Sequence, residues 1–293
     1  MSEKHFVHIG LGKTATTTLQ RFVFKEIADS SGYTYLRARD ILDYVDALEN
    51  GSDISPIALH AKALVSCESL VGWNPYHWKA FADSNLKYFG ADSTILLVIR
   101  EPSAYLRSVY LQECVHEGRM ISQSDYFKSV APLDASLNMP QFNLEQFDYQ
   151  RLIDLYRDRF ATVAVQKMEH LTDLEFIDGT FKITPKMSEK IIKILENNKS
   201  NRAYSKTAVN LSFALNKLFT RSQTSRRREP TEITPFRRRF HHCMWRKVVQ
   251  NVIDKILPYE KFDLNWDGIS DFDRDRAGQQ YKAMPKCQIF RQS

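Results

Sequence analysis

Residues 5–18 read His-Phe-Val-His-Ile-Gly-Leu-Gly-Lys-Thr-Ala-Thr-Thr-Thr. A short apolar run opens the segment. Small residues, a lysine and a row of hydroxyls follow. Leu19, Phe22, Val23 and Ile27 then repeat at helical spacing, with Gly32 as a stop. This order commits the chain to a strand, a tight turn and a helix that must fold back over the strand. Further β-branched-rich runs at 62–67, 94–99 and 162–166 join the first, at 5–9, as expected strands. Leu152, Leu155, Tyr156 and Phe160 form another helical stripe just before the fourth. Strands alternating with helices predict an α/β protein built on a parallel sheet flanked by helices. Right-handed crossovers then gather the strand ends and their loops on one edge, where the chemistry is expected.

The first of those loops has the make-up of an anion cradle. The amide groups at a helix start lack intrahelical partners, and the helix dipole favours negative charge there. Lys13 adds a point charge and the threonines add hydroxyl donors. A nucleoside-triphosphate loop needs G-x-x-x-x-G-K-[ST]. Gly12-Lys13-Thr14 matches its end, but the first glycine falls on Val7, and none of the expected strands ends in a metal-holding Asp. The loop therefore reads as P-loop-like without being a true triphosphate loop. The alternative is a threonine-rich helix cap beside a surface lysine.

A second anion clamp is expected where the third strand ends in Ile99-Arg100-Glu101-Pro102. Pro102 is placed to start a helix. Ser108, about two turns on, faces back towards that start. Arg and a hydroxyl converging at a helix N-terminus suit a phosphate; a surface ion pair of Arg100 with Glu101 or Asp92 is the competing reading. Two such clamps fit a ligand carrying two separated phosphate groups. Here the chain resembles a known family. Lys13-Thr14-Ala15-Thr16-Thr17 is similar to the K-[TS]-G-T-T loop of sulfotransferases that use 3′-phosphoadenosine 5′-phosphosulfate (PAPS), and Arg100 with Ser108 to their R-x7-S motif. The likeness is nearest to bacterial carbohydrate-type sulfotransferases, which open on H-I-G-L-x-K-T-x-T-T-x-L-Q. It extends more weakly to 65–70, 163–171 and 201–211, and covers roughly residues 5–215.

The resemblance implies a role for each residue. Gly12, Lys13, Thr14, Ala15, Thr16, Thr17 and Thr18 form the cofactor loop. Backbone amides of Ala15, Thr16 and Thr17 hold the 5′-phosphosulfate, helped by the hydroxyls of Thr17 and Thr18. Lys13 stabilises the leaving phosphate. Arg100 and Ser108 hold the 3′-phosphate, and Arg202 or Lys206 closes over it. Gly12 stands where proline is common, and Ala15 where glycine is usual, so the Ala15 methyl is an obstacle if that residue takes positive φ. The implied reaction is in-line, metal-free transfer of a sulfuryl group to a hydroxyl, of a sugar on a glycan or glycolipid. The acceptor's proton needs a base near Lys13. Glu68, ending the second strand, is the first candidate; His60 is the second, and His116 and Glu117 follow. Glu169 is expected to be structural. Trp73, Tyr76, His77 and Trp78 form an aromatic cluster after Glu68, of which at least two are expected in the core.

Charge divides the chain into a core over 1–220 and a basic, mainly helical C-terminal extension over 221–293. Lys and Arg exceed Asp and Glu by six overall, yet residues 221–247 alone hold nine basic and two acidic residues. The rest of the chain is therefore close to neutral. So local a patch suits a polyanion or an anionic membrane surface, and the thin aromatic interleaving argues against nucleic acid. Ser222 to Pro235 is expected as a loop, and 248–257 as a helix. Turns are expected at Asp267-Gly268 and Ala277-Gly278. The opening lacks a long apolar stretch and a small-residue cleavage site, so no secretory signal is expected. Scattered cysteines without a CxxC pair predict a reducing, cytoplasmic setting, with peripheral contact at the inner membrane face open. Two rivals to the sulfotransferase remain: a P-loop nucleotide kinase or NTPase, and a non-catalytic polyanion binder using 221–247.

Overall fold

A computed structural model of the chain describes residues 5–52, 62–116, 122–127, 141–178, 181, 183–197, 205–219, 260–269 and 272–292. They fall into two compact units. One combines 1–102, 146–200 and 274–293; the other combines 103–145 and 201–273.

The first unit is α/β. Its six-stranded sheet runs in the order β2-β3-β1-β4-β5-β6. The strands are β1 (Phe6–Gly10), β2 (Thr34–Arg37), β3 (Ala63–Cys67), β4 (Thr94–Ile99), β5 (Thr162–Lys167) and β6 (Cys287–Arg291). The first five are mutually parallel, and β6 runs antiparallel to β5. The four strands expected from sequence are present to within a residue at each end. Both faces of the central strands are buried, which is why they read as unbroken apolar runs.

Helices cover both faces. After β1 the chain turns through α1 (Thr16–Thr18), a π-helical stretch Leu19–Val23 and α2 (Phe24–Ser31), ending at Gly32 in the left-handed conformation. Leu19, Val23, Phe24 and Ile27 pack on Phe6, Leu64, Leu96, Val98 and Ala164 of the sheet. Phe176 and Ile177 of α8 (Glu175–Asp178) and Ile191 and Leu195 of α9 (Pro185–Asn197) complete this core. Each such buried side chain contributes roughly 1.5–3 kcal/mol. Phe22, expected on the same stripe, is 42% exposed. The π-helical widening at 19–23 keeps Leu19, Val23 and Ile27 on one face and turns Phe22 outwards.

The alternate strand positions, such as Ile95 and Leu97, point the other way. Beyond them α7 (Tyr149–Arg157) lies along β4 and β5 and packs on α4 (Trp78–Phe89). Asn85 ties this layer together. It accepts from Tyr44 Oη at 2.6 Å and donates to the Leu70 carbonyl at 2.7 Å and to Tyr156 Oη at 3.0 Å. Tyr44 stands on α3 (Leu42–Asn50).

Ala277-Gly278, expected as a loop, lies inside a helix, Arg274–Ala283. Gly278 has open space where a side chain would stand, and the helix is held by its buried Tyr281, so one glycine does not break it. Asp267-Gly268 does end a short 3₁₀ turn, Trp266–Gly268.

In the second unit, α5 (Pro102–Tyr110) runs into a π-helical stretch Leu111–His116, and α6 (Gln123–Tyr126) and α10 (Lys206–Phe219) follow. Its core is aromatic. Tyr110 meets Tyr126, Phe127 and Phe262, and Phe142 packs on the first two of these partners. Ser205 caps α10 by accepting from the Ala208 amide at 3.1 Å. Among the described residues, no helix is long and apolar enough to cross a membrane.

Candidate functional site

The loop between β1 and α1 is held by contacts that its sequence prescribes. A side chain at Gly10 would stand 2.8 and 2.9 Å from Cγ2 and Oγ1 of Thr16, so only glycine lets the loop close this tightly. A side chain at Gly12 would run into the indole of Trp73, with Cζ3 and Cζ2 at 2.8 and 2.9 Å. That contact leaves no room for a side chain at position 12. Thr14 and Thr16 are buried, and their hydroxyls turn inwards. Thr14 Oγ1 donates to the Leu11 carbonyl at 2.5 Å, and Thr16 Oγ1 to the same oxygen at 3.4 Å. Their side chains thus brace the loop from within. Thr17 is exposed and Thr18 half-buried.

Two non-glycine residues here are left-handed, Lys13 at φ 71° and Ala15 at φ 61°. The condition under which the Ala15 methyl becomes an obstacle is therefore met. Ala15 is the N-cap of α1, and its carbonyl accepts from the amides of Thr18 and Leu19 at 3.0 and 3.1 Å. The first-turn amides of Thr16 and Thr17 are of the kind a helix leaves without an intrahelical partner.

Neighbouring strands bring two predicted residues to this loop. β4 pairs with β1 so that Val98 stands opposite Gly10. Arg100, two residues further, then lies level with the loop, and its Nη1 donates to the Lys13 carbonyl at 3.2 Å. On the other side β3 pairs Cys67 with Ile9, and Glu68 follows directly as the first residue of a 3₁₀ turn, Glu68–Leu70. Burial raises the Glu68 carboxyl above its ordinary range, and the nearby Lys13 charge pulls it partly back. A half-buried carboxyl with a raised pKa, facing a lysine, has the make-up of a general base.

Beneath the loop lies a polar network that the sequence did not announce. Buried His8 shares a 2.7 Å hydrogen bond with Ser66 Oγ, and burial lowers its pKa to about 3, so it is neutral. Gln20 donates to the Ser66 carbonyl at 3.1 Å, and the Gln20 carbonyl accepts from Tyr35 Oη at 2.7 Å. These bonds anchor the π-helical stretch behind the loop to β2 and β3.

Along the same sheet edge, Tyr281 donates to Glu169 at 2.7 Å. Lys167 lies 4.7 Å from the centre of the Tyr281 ring and donates to the Met284 carbonyl at 2.6 Å. Glu169 thus helps to dock the helix 274–283, in keeping with its expected structural part. Of the aromatic cluster, His77 and Trp78 are buried while Trp73 and Tyr76 are half-buried. A shallow depression at the opposite sheet edge, lined by Arg157, Phe290 and Arg291 among others, contains none of the predicted residues.

Lys13, Glu68 and Arg100 therefore meet at the carboxyl ends of three adjacent strands. Ser108 stands on the part of α5 that belongs to the second unit. His60, Glu117, Arg202 and the basic stretch 221–247 lie outside the described residues, as does the side chain of His116. Among the described residues, no group of three or more His, Cys, Asp or Glu could hold a metal ion. The chain matches no protein-family model and no curated protein.

Proposed function

We propose that the chain is a sulfotransferase with a P-loop-like core. It would move a sulfuryl group from PAPS to a sugar hydroxyl of a glycan or glycolipid acceptor, in line and without a metal. One observation carries this reading: a cationic loop at a helix start, with Lys13 between a raised carboxyl, Glu68, and a guanidinium, Arg100, on the flanking strands.

The residues fit the donor. The amides of Ala15, Thr16 and Thr17 would hold its 5′-phosphosulfate, and the exposed hydroxyl of Thr17 stands beside them. Arg100 would take the 3′-phosphate, a task that the resemblance also gives to Ser108 and Arg202. When bound, the donor supplies the sulfuryl group and leaves as the bisphosphate. Lys13 would neutralise the charge that grows on the leaving phosphate. Glu68, ionised, would accept the proton of the acceptor hydroxyl. His60 is the second candidate for that step. The basic extension over 221–247 would dock an anionic acceptor or an anionic membrane face. The inward turn of the Thr14 hydroxyl, bonded to Leu11, is unlike the metal-holding hydroxyl of a triphosphate loop.

Calorimetric titration of the purified chain with 3′-phosphoadenosine 5′-phosphate, without metal, tests the reading beside ATP with magnesium. Binding of the bisphosphate that is lost in Lys13→Ala and Arg100→Ala supports it. A preference for magnesium-ATP, or no bisphosphate binding by the unaltered chain, overturns it.

A further inference from the structure

The β1–α1 loop carries an internal difficulty. It passes through the left-handed region twice on residues with a β-carbon, at Lys13 and Ala15. Such residues keep this conformation only where their surroundings impose it. The hydroxyls of Thr14 and Thr16 brace the loop from within, through the Leu11 carbonyl. Arg100 reaches it from a different strand and donates to the carbonyl of Lys13, the first left-handed residue.

That bond constrains more than one atom. A peptide unit is planar and trans, so holding the Lys13 carbonyl towards β4 points the Thr14 amide the opposite way. It also sets the direction from which the chain enters Ala15 and the amides that follow. The donor is a charged guanidinium, which makes the bond stronger than an ordinary amide contact. A guanidinium has five N–H groups in a rigid fork, so Arg100 can hold this carbonyl and still meet an anion.

We infer that Arg100 is a positioning residue for the loop as well as an anion contact: its bond to the Lys13 carbonyl holds the loop in its ligand-ready shape. Resting on the sulfotransferase reading above, this means that losing Arg100 damages the 5′ side of the site and not only the grip on the 3′-phosphate.

Two measurements on the full chain test this. The first uses no ligand. Amide hydrogen exchange followed by mass spectrometry compares the unaltered chain with Arg100→Ala and Arg100→Lys. In Arg100→Ala, peptides covering 11–18 should exchange about tenfold faster at the Thr18 amide, which is bonded to the Ala15 carbonyl, as expected for one lost charge-assisted hydrogen bond that holds the loop. Peptides covering β1 and β4 should stay protected, which separates loop release from global unfolding. Arg100→Lys keeps a charged donor and should restore part of the loop's protection; it also serves as the test if Arg100→Ala does not fold.

The second measurement is the affinity for adenosine 5′-phosphosulfate, which lacks the 3′-phosphate. It should fall about tenfold in Arg100→Ala. Unchanged exchange over 11–18 together with unchanged affinity for this ligand would overturn the inference and leave Arg100 a 3′-phosphate contact only. Should the unaltered chain bind no nucleotide while Arg100→Ala still frees the loop, the positioning role stands and the sulfotransferase reading falls.

Discussion

Ala15 offers a sharp test of the loop geometry, because its conformation and its packing pull in opposite directions. At φ 61° an alanine carries a steric cost of roughly 1–2 kcal/mol that glycine escapes. Glycine in turn makes the unfolded chain freer, which costs about 0.4–1 kcal/mol. The methyl also packs, partly buried, against the main core, and its loss costs about 0.4 kcal/mol, half of a fully buried methyl group. Ala15→Gly should therefore lie between a loss of about 0.4 and a gain of about 1.2 kcal/mol, a Tm change from about −2 to about +5 °C for a unit of this size. Glycine is a good N-cap in any conformation, so that variant alone does not isolate the left-handed geometry. Ala15→Val does. At an ordinary extended N-cap, valine and alanine rank together. In the left-handed region a β-branched side chain costs about 1–3 kcal/mol more, so Tm should fall by at least about 3 °C. Calorimetric scans at one fixed rate make the comparison. Melting of Ala15→Val with the unaltered chain, or a fall of several degrees in Ala15→Gly, would refute the reasoning.

Two further outcomes follow from the same site. Because burial raises the Glu68 pKa, its ionised form opposes folding once pH exceeds that raised value, and no penalty remains when it is protonated in both states. Glu68→Gln should thus raise Tm near pH 8, with the gain fading as pH falls to about 4; a gain that persists in acid would contradict it. Under the proposed sulfotransferase reading, transfer should climb with pH through a value above the ordinary carboxylate range, and higher still in Lys13→Ala, which removes the charge that lowers it. Gly12→Ala should cost about 1–3 kcal/mol in denaturant melts, because the new methyl meets the Trp73 ring. In a Trp73→Ala background that cost should largely vanish; if it persists, the indole is not what excludes a side chain there.

What the sequence disclosed follows from where each element finds its stabilisation. β1, β3, β4 and β5 are buried on both faces, so their apolar runs are visible without any partner. β2 and β6 escaped notice because they are edge strands with exposed and half-buried residues, Thr-Tyr-Leu-Arg and Cys-Gln-Ile-Phe-Arg. Their pairing with β3 and β5 makes them strands, and no local pattern encodes it. The helix 274–283 is polar and contains Gly278; Tyr281, buried against Glu169 and Lys167, secures it from outside. The same division runs through the site. The strand, turn and helix start of the β1–α1 loop are contiguous, so its signature survives in residues 10–18. The groups that give this loop its shape and charge are remote in sequence: Trp73 against Gly12, Glu68 near Lys13, Arg100 on the Lys13 carbonyl. A loop motif therefore announces what can bind, while the flanking strands determine whether the loop is held ready to bind it. For this reason the effect of Arg100→Ala on a ligand without a 3′-phosphate tells more about the site than any further change within the loop.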